Sequence, residues 1–364
     1  MTTRPQTETS ATSLDPQKLE ALLGRVVGDV GGAYCAALTV IGDALGLFRA
    51  LANSPGLTPE ELAQRTGTAP RYVREWLCAQ AAGHYVTYTA ESGRFSLTPE
   101  QAAAFADESS PAFASGGFQI VQAVMQAIPR AIEHFKTGAG MAWGDHAGCL
   151  FHGTERFFRS AYLGHLTRDW LPSLDGTVQR LEHGAKVADV GCGLGASTIL
   201  MAKAYPRSTF VGFDGHPRSV ELARQRAREE GVADRVSFEV ARATDYAGSE
   251  YDLVAHFDSL HDMGDPIGAA RHVRRTLSPT GAWLLVEPFA ADTIEGNMNP
   301  IGRVYYAAST MLCVPASLAD GNPGLALGAQ AGEARLRQVI TEGGFSRFRR
   351  AAETPFNIVY EARV

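Results

Sequence analysis

A ten-residue run at 186–195 constrains the fold of this 364-residue chain more than any other stretch. Its first half, KVADV, has the apolar, β-branched character of a short buried strand. Three glycines then follow at alternate positions, Gly191, Gly193 and Gly195. Glycine allows a sharp turn there and leaves bare backbone against which a ligand can lie. Because the residues after the loop have apolar helical spacing, the run predicts a strand, a glycine loop and a helix, which is the local structure of a nucleotide site.

Strands and helices alternate through the rest of this half of the chain. Further strands are predicted at 209–213, 236–240, 251–257 and 282–286, with helices over 217–230 and 266–277 between them. The last two strands, at 347–352 and 357–361, are joined by a link too short for a helical crossover, so we expect an antiparallel hairpin. This pattern predicts an α/β fold with a seven-stranded, doubly wound, Rossmann-like sheet.

Acidic residues around the glycine loop favour one kind of nucleotide over another. The loop also fits the dinucleotide fingerprint, which alone is a weak signal. Asp214 ends the second strand, about 20 residues beyond the glycines, where a carboxylate accepts hydrogen bonds from ribose hydroxyls. Asp189 precedes the first glycine, where it can hold a cationic aminoacyl group. This position, and a sheet that ends in a hairpin instead of a second mononucleotide half, favour S-adenosylmethionine as the cofactor.

The front of the chain has a different pattern, made of helices and one hairpin. Asp15 and Pro16 begin a helix that we expect to reach about residue 52, with an apolar stripe over 19–30. A capping box at 58–61 opens a short helix, a third helix spans 70–82, and a hairpin follows over 85–97. This order predicts an N-terminal α-helical winged-helix domain.

The charge of this domain bears on whether it binds nucleic acid. Residues 1–110 contain eight Arg or Lys and twelve Asp or Glu, and the whole chain has a net charge of −6. A protein that reads duplex DNA needs a basic face to neutralise phosphates, yet the predicted wing tip has only Arg94. We therefore expect the domain to form protein contacts, most simply those of a homodimer. A DNA-binding regulator that senses the cofactor is the alternative.

Residues 111–180 are expected to be a mainly helical connector that also walls a pocket. The segment 143–158 mixes glycines, histidines and aromatic residues, which suits a loop near a pocket. Asp145, His146 and His152 lie in this segment, but their spacing matches no standard ligand set, so no metal site is predicted.

Composition limits the compartment and the class of protein. The five cysteines are scattered and form no Cys-x-x-Cys pair, which favours neither disulfides nor zinc and fits a reducing cytoplasm. Residues 1–13 are polar and Thr-rich, so we expect a disordered tail instead of a signal peptide. No uninterrupted run of about 20 apolar residues is present, so no membrane-spanning segment is expected.

Three further motifs carry a resemblance to a known family: FHGTERFF at 151–158, LHDMGDP at 260–266 and NPIGRVYY at 299–306. With the glycine loop, the back half resembles class I S-adenosylmethionine-dependent methyltransferases. From about residue 14 the chain resembles a bacterial group with an N-terminal winged helix, and more distantly the plant-type small-molecule O-methyltransferases, which dimerise through that domain. The resemblance implies a winged-helix and dimerisation domain at 14–110, the connector at 111–180 and a cofactor-binding catalytic domain at 181–364.

The resemblance also implies roles for individual residues. Backbone at Gly191, Gly193 and Gly195 would pass against the aminoacyl end of the cofactor, with Asp189 nearby and Asp214 on the ribose hydroxyls. Asp245, with Thr244 beside it, would meet the adenine amino group, and Phe257 would line the sulfonium end. In the plant-type enzymes a Leu-His-Asp stretch supplies the general base and a glutamate supports it. His261 and Glu287 occupy those places.

The reaction implied is methylation of a small molecule, with oxygen the first candidate. A neutral hydroxyl is a poor nucleophile, and histidine, whose intrinsic pKa is about 6.5, suits removal of its proton at neutral pH. His261 as a structural residue, N-methylation of an amine, and a scaffold without transferase activity remain alternatives. Aromatic and apolar residues in the expected pocket walls point to an apolar or aromatic acceptor.

Overall fold

The computed structural model describes residues 14–320 and 324–364, which divide into two compact units between Gln101 and Ala102. The tail predicted at 1–13 lies outside the described residues. The first unit consists of helices and a two-stranded hairpin, and the second is built on a seven-stranded sheet. The predicted fold class is therefore confirmed.

The first unit has the winged-helix order that the sequence predicts. Its elements are α1 Pro16–Ala44, α2 Leu47–Ala52, α3 Pro59–Thr66, α4 Pro70–Ala82, β1 Thr87–Thr89 and β2 Arg94–Ser96, followed by the start of α5 Pro99–Phe105. The prediction of one helix from residue 16 to about 52 was wrong, because Gly46 has φ +70° and interrupts it. Glycine adopts this left-handed conformation without strain. The break directs Leu47, Phe48 and Leu51 into the core of the unit.

The one Arg or Lys side chain of the wing, Arg94, forms an ion pair within the domain. Arg94 donates two hydrogen bonds to the carboxylate of Glu61, at 2.7 and 2.9 Å. Glu61 is held in turn by the capping box with Thr58 at the start of α3. A guanidinium bound to a carboxylate in this fork geometry is not free to neutralise a phosphate. The wing is therefore poorly suited to contact DNA.

The outer face of α1 is apolar and exposed over much of its length. The exposed side chains include the stripe noted in the sequence: Leu19, Leu22, Leu23, Val26, Val27 and Val30. By length and composition, α1 also passes the test for a helix that can cross a membrane, with a mean hydropathy of 1.3 over its most apolar window. The sequence argument from uninterrupted apolar runs had not anticipated this, because the stripe is broken by glycines and scattered charges.

The second unit continues with nine α-helices among the described residues, besides shorter 3-10 and π-helical segments, and with seven strands. The helices are α6 Ser115–Thr137, α7 Cys149–Ala161, α8 Thr177–His183, α9 Ala196–Ala204, α10 Pro217–Glu229, α11 Pro266–Thr276, α12 Pro300–Ala308, α13 Val314–Ala319 and α14 Gly332–Glu342. The strands are β3 Lys186–Val190, β4 Thr209–Asp214, β5 Val236–Val240, β6 Tyr251–Phe257, β7 Leu277–Pro288, β8 Arg347–Glu353 and β9 Asn357–Arg363.

The seven strands lie in the order β5-β4-β3-β6-β7-β9-β8. The first five are parallel, and β9 pairs antiparallel with both β7 and β8, as the short link between the last two strands predicts. β7 begins earlier than expected, because Leu277 pairs with Tyr251 ahead of a register shift in the β6–β7 ladder. This order places the ends of β3, β4 and β6 side by side.

Two hydrophobic cores cover the two faces of the sheet. Val187 of β3 belongs to one core, with Ile199 and Ala202 of α9, whereas the next residue, Ala188, belongs to the other. Successive side chains of a strand point to opposite faces, so a sheet buried on both sides has the continuous apolar strands seen here. The helices that follow β3 and β6 thus pack on opposite faces.

The prediction of a loop over 143–158 was wrong for most of its length, since Cys149–Ala161 is helix α7. The glycines there serve helix packing. A Cβ on Gly116 of α6 would lie 2.6 Å from the backbone nitrogen of Phe157, and one on Gly153 would lie 2.7 Å from Cβ of Gln119. The two helices can approach this closely only because both positions lack a side chain.

The sheet core contains one buried imidazole that is unsuited to chemistry. Nδ1 of His256 accepts a hydrogen bond of 3.0 Å from Nε1 of Trp283, and both side chains are fully buried. Burial lowers the pKa of His256 to about 3, because a charged ring has no water or carboxylate to stabilise it there. The ring is therefore neutral in the folded protein at physiological pH.

This residue should make the stability of the protein fall in acid. In the unfolded chain His256 binds a proton as the pH falls below about 6.5, whereas in the folded chain it does so only near pH 3. The free energy of unfolding therefore falls as the pH falls through this window. His256→Asn keeps an acceptor for Trp283 without a titrating ring. Urea denaturation at pH 7 and pH 4 should show the wild type losing about 3 kcal/mol more than the variant. Equal losses would contradict this assignment.

Candidate active site

A cleft of about 560 Å³ opens at the carboxyl ends of the parallel strands. Its floor is the glycine loop after β3 and the ends of β4 and β6, and its walls come from α7, the turn at 142–144 and the end of α13. Ligands of open α/β sheets lie in this place. Five of the ten predicted site residues line the cleft: Gly191, Gly193, Asp214, Thr244 and Phe257.

The three loop glycines are required for three different reasons. All have positive φ, at +76° for Gly191, +52° for Gly193 and +81° for Gly195. A Cβ on Gly191 would lie 2.7 Å from Cβ of Ser259, and one on Gly195 would lie 2.6 Å from the ring of Phe238. A Cβ on Gly193 would meet nothing within 4 Å. Gly193 therefore presents bare backbone to the cleft, whereas Gly195 lies behind the loop against the core.

Asp214 ties the end of β4 to the glycine loop. Its Oδ2 accepts a hydrogen bond of 2.9 Å from the backbone N–H of Gly193, and its Oδ1 accepts one of 2.8 Å from that of His216. Burial raises the pKa of Asp214, and these two backbone hydrogen bonds oppose that rise. Each carboxylate oxygen can still accept a further hydrogen bond from a ligand.

Asp189 lies beneath the loop and does not line the cleft. Its Oδ2 accepts hydrogen bonds from the hydroxyls of Ser197 and Thr198, both at 2.6 Å, in the first turn of α9. Its Oδ1 is buried with no hydrogen-bond partner among the described residues. Burial raises the pKa of Asp189 to about 6, against the effect of the two hydroxyls. In this arrangement Asp189 braces the loop from below.

The loop after β5 contributes through Thr244. Oδ1 of Asp245 accepts a hydrogen bond of 3.2 Å from the backbone N–H of Arg242, which closes the turn. Thr244 lines the cleft, whereas Asp245 does not. The structure therefore gives Asp245 a supporting position in this loop.

Two pairs of packed rings line the cleft. Phe257 ends β6 and packs edge to face against Tyr162, with ring centroids 5.3 Å apart. A second pair is formed by Phe151 of α7, which stacks on His216 with ring centroids 4.4 Å apart and planes 17° apart. Sequence reasoning did not select His216, although its place two residues after Asp214 was a usable signal. All four side chains line the cleft.

His261 and Glu287 are paired but lie behind the cleft wall. Nδ1 of His261 is 2.5 Å from Oε2 of Glu287, and Nε2 is 3.2 Å from Oδ1 of Asp262. The other oxygen of Glu287 accepts a hydrogen bond from the backbone N–H of Leu260. Burial alone would lower the pKa of His261, but the carboxylates of Glu287 and Asp262 raise it well above its usual value. The ring is therefore an imidazolium held between two carboxylates.

Two acidic residues that sequence reasoning did not assign line the cleft beside this pair. Asp262 accepts a hydrogen bond of 3.1 Å from Nε1 of Trp143, which also lines the cleft. Asp258 directly follows β6 and accepts one of 2.8 Å from the side-chain amide of Asn357. Asp262 lies in the Leu-His-Asp motif, so a signal for it was present in the sequence. Asn357 is 99 residues away from Asp258 and could not be paired with it from the sequence.

One group of metal-binding residue types occurs among the described residues. Donor atoms of His261, Asp262 and Cys313 lie within 4.8 Å of one another. The ion pairs of His261 with Glu287 and Asp262 already account for this geometry. Burial also raises the pKa of the Cys313 thiol to about 12, which disfavours the thiolate that a metal requires.

Comparison with known proteins gives a match to a protein family in each half of the chain. Residues 181–322 match the family described as methyltransferase domain, and residues 33–106 match the Rv2258c-like winged HTH domain. The methyltransferase GfsG of Streptomyces halstedii is 33% identical over 35% of this chain and 46% of its own length. The 27-O-demethylrifamycin SV methyltransferase of Amycolatopsis mediterranei is 37% identical over 42% of this chain and 55% of its own length. The chain thus spans about half the length of these curated relatives.

Solved structures extend the likeness in fold to nearly the whole chain. Human N-acetylserotonin methyltransferase, solved in complex with SAM, matches with a TM-score of 0.68 and 16% identity over 97% of this chain and 99% of its own. The mitomycin 7-O-methyltransferase MmcR matches with a TM-score of 0.67 and 18% identity over 96% of this chain and 100% of its own. At these identities the likeness concerns the fold. The chain therefore carries a methyltransferase domain preceded by an Rv2258c-like winged HTH domain, as its motifs predict.

Proposed function

We propose that this chain uses S-adenosylmethionine to methylate a small molecule, and that the methylated atom is oxygen. One observation carries the proposal: the bare backbone of the glycine loop and the Asp214 carboxylate meet in one cleft at the carboxyl ends of β3 and β4. The methyltransferase domain at 181–322 agrees with it. The names of the O-methyltransferases among its relatives and structural neighbours favour oxygen as the acceptor atom.

The residues around the cleft fit this cofactor. Gly193 leaves open space where a side chain would stand, and Asp214 keeps lone pairs for two ribose hydroxyls. Thr244, with Asp245 holding its loop, lies where the adenine would bind, and Phe257 lies toward the sulfonium end. When bound, the cofactor supplies an electrophilic methyl group on a sulfonium sulfur.

The chain's own contribution to the reaction is to position the acceptor and to remove its proton. We assign this task to Glu287, His261 and Asp262 acting as one unit. Asp262 lines the cleft and is the member that can contact an acceptor hydroxyl, whereas His261 is buried behind it. The hydroxyl proton would pass to the Asp262 carboxylate as the oxygen attacks the methyl group. His261 and Glu287 orient that carboxylate, and the Trp143 indole fixes its other oxygen.

The homodimer expected from the sequence belongs to the same proposal. The exposed apolar face of α1 is the surface that we assign to it, because burial of such a face stabilises an association. A cytoplasmic location is also proposed, and the five cysteines, all free in the structure, agree with a reducing compartment.

Removal of the Asp214 carboxylate should abolish tight cofactor binding. Asp214→Ala loses the acceptor for two ribose hydroxyls and the tie to Gly193, and we expect the affinity for S-adenosylhomocysteine to fall at least about 100-fold. Isothermal titration calorimetry measures this directly. Asp234→Ala, which removes an exposed carboxylate remote from the cleft, is the matched control. Unchanged affinity in Asp214→Ala would refute the cofactor assignment.

Removal of the proton acceptor should slow turnover and leave cofactor binding intact. For an acceptor hydroxyl, Asp262→Asn and His261→Ala should each lower kcat by about 10²–10⁴. A loss in His261→Ala alone would return the role of base to the imidazole itself. Near-normal turnover in both variants, with normal cofactor affinity, would contradict O-methylation and indicate an amine or thiol acceptor, which needs no base of this kind.

A charge placed in the α1 stripe should dissociate the dimer. We expect Val26→Glu to shift the mass measured by light scattering from two chains to one, because a buried unpaired carboxylate opposes association. Lys18→Glu, on an exposed side chain of the same helix, should leave the mass unchanged. A wild type that is already monomeric would exclude this surface as a dimer interface.

A further inference from the structure

Asp258 carries a carboxylate oxygen that no group among the described residues satisfies. The residue directly follows β6 and lines the cleft. Its Oδ1 accepts the hydrogen bond from Asn357, whereas its Oδ2 is buried without a hydrogen-bond partner among the described residues. Leaving a buried polar acceptor unsatisfied is costly, so such an atom in a cleft indicates a ligand that satisfies it.

The backbone holds this carboxylate in an uncommon position. Asp258 has φ +49°, in the left-handed region that non-glycine residues rarely adopt. Its N–H still donates to the carbonyl of Val286, 2.8 Å away, so the β6–β7 ladder anchors it. Strained residues at the end of a strand cluster at binding sites, where the surrounding structure maintains them.

The charges around Asp258 call for a cation. The ionisable groups that act on it are Glu287 and Asp262, which are acidic, and His261, whose charge these two carboxylates already share. Burial, reinforced by Glu287, raises the pKa of Asp258 well above its usual value. A positively charged ligand group beside Oδ2 would reverse that effect and stabilise the ionised form.

The position of Asp258 indicates which cation. The next residue, Ser259, packs directly against Gly191: a Cβ added to Gly191 would lie 2.7 Å from Cβ of Ser259. The hydroxyl of Ser259 donates a hydrogen bond to the carbonyl of Val190. Asp258 is therefore at the glycine-loop end of the cleft. This is the end assigned above to the aminoacyl part of the cofactor.

We infer that the Asp258 carboxylate binds the α-ammonium of the cofactor's aminoacyl group, the role that the sequence suggested for Asp189. The inference rests on the proposed use of S-adenosylmethionine. Asp189 lies beneath the loop and does not line the cleft, and the hydrogen bonds of its Oδ2 to Ser197 and Thr198 join the glycine loop to α9 from below. Two carboxylates of the cleft wall have an oxygen without a hydrogen-bond partner among the described residues. Oδ1 of Asp262 already lies 3.2 Å from Nε2 of His261, which leaves Oδ2 of Asp258 for a ligand cation.

A comparison of two ligands tests this contact. S-adenosylhomocysteine carries the aminoacyl group, and 5′-methylthioadenosine lacks it, so each is titrated by calorimetry into the wild type and Asp258→Asn. We expect Asp258→Asn to lower the affinity for S-adenosylhomocysteine about 10- to 100-fold and to leave the affinity for methylthioadenosine unchanged. Equal effects on the two ligands, or no effect on either, would overturn the inference.

Two controls separate this contact from other causes. Asp189→Asn disturbs the loop beneath the whole ligand, so it should change both affinities by a similar factor. A loss of affinity for S-adenosylhomocysteine alone in this variant would assign the ammonium contact to Asp189 instead. If Asp258→Asn fails to fold, the wild type alone decides: an analogue of S-adenosylhomocysteine without its amino group should bind about 10- to 100-fold more weakly than the parent, and equal binding would overturn the inference. A wild type that binds neither adenosine ligand would instead refute the proposed function.

Discussion

The cleft depends on the reversal of strand order between β3 and β6. From β3 the sheet grows through β4 and β5 on one side, and through β6 and β7 on the other. The helices that follow β3 and β6 consequently pack on opposite faces, with Ile199 of α9 in one core and Ala269 of α11 in the other. Such a reversal leaves a crevice between the two strand ends. The glycine loop, Asp214 and Asp258 converge because they lie at the edges of this crevice.

Four aspartates around the crevice show how the surroundings of a carboxylate decide its role. Asp189 is buried and bonded to two hydroxyls, and Asp214 is bonded to two backbone amides, so both hold the loop in shape. Asp262 lines the cleft between the indole N–H of Trp143 and the ring of His261, which leaves its carboxylate within reach of an acceptor molecule. Asp258 has one side-chain amide and one unsatisfied oxygen, which suits a ligand cation. The donors that surround each carboxylate thus differ, and with them the role that each can take.

Local patterns were sufficient for much of the fold. The strand–glycine loop–helix unit, the alternation of strands and helices and the terminal hairpin all follow from short-range spacing and turn chemistry. The errors came where a residue type has two uses. Gly116 and Gly153 permit close helix packing in place of a loop, whereas Gly46 ends a helix that periodicity alone would continue. A glycine's function depends on what lies across from it, and that partner is far away in the chain.

The sequence by itself determined the class of the fold, the place of the cleft at the glycine loop and the types of residue available to it, because strand and helix periodicity and turn preferences act over a few neighbouring residues. Only the tertiary structure decided which carboxylates reach the cleft. Asp189 lies beneath the glycine loop and His261 lies behind the cleft wall. Asn357 forms a hydrogen bond with Asp258, and Trp143 forms one with Asp262. Burial and hydrogen-bond partners govern charge and reactivity, and both are set by contacts between residues distant in the chain, which no local pattern encodes.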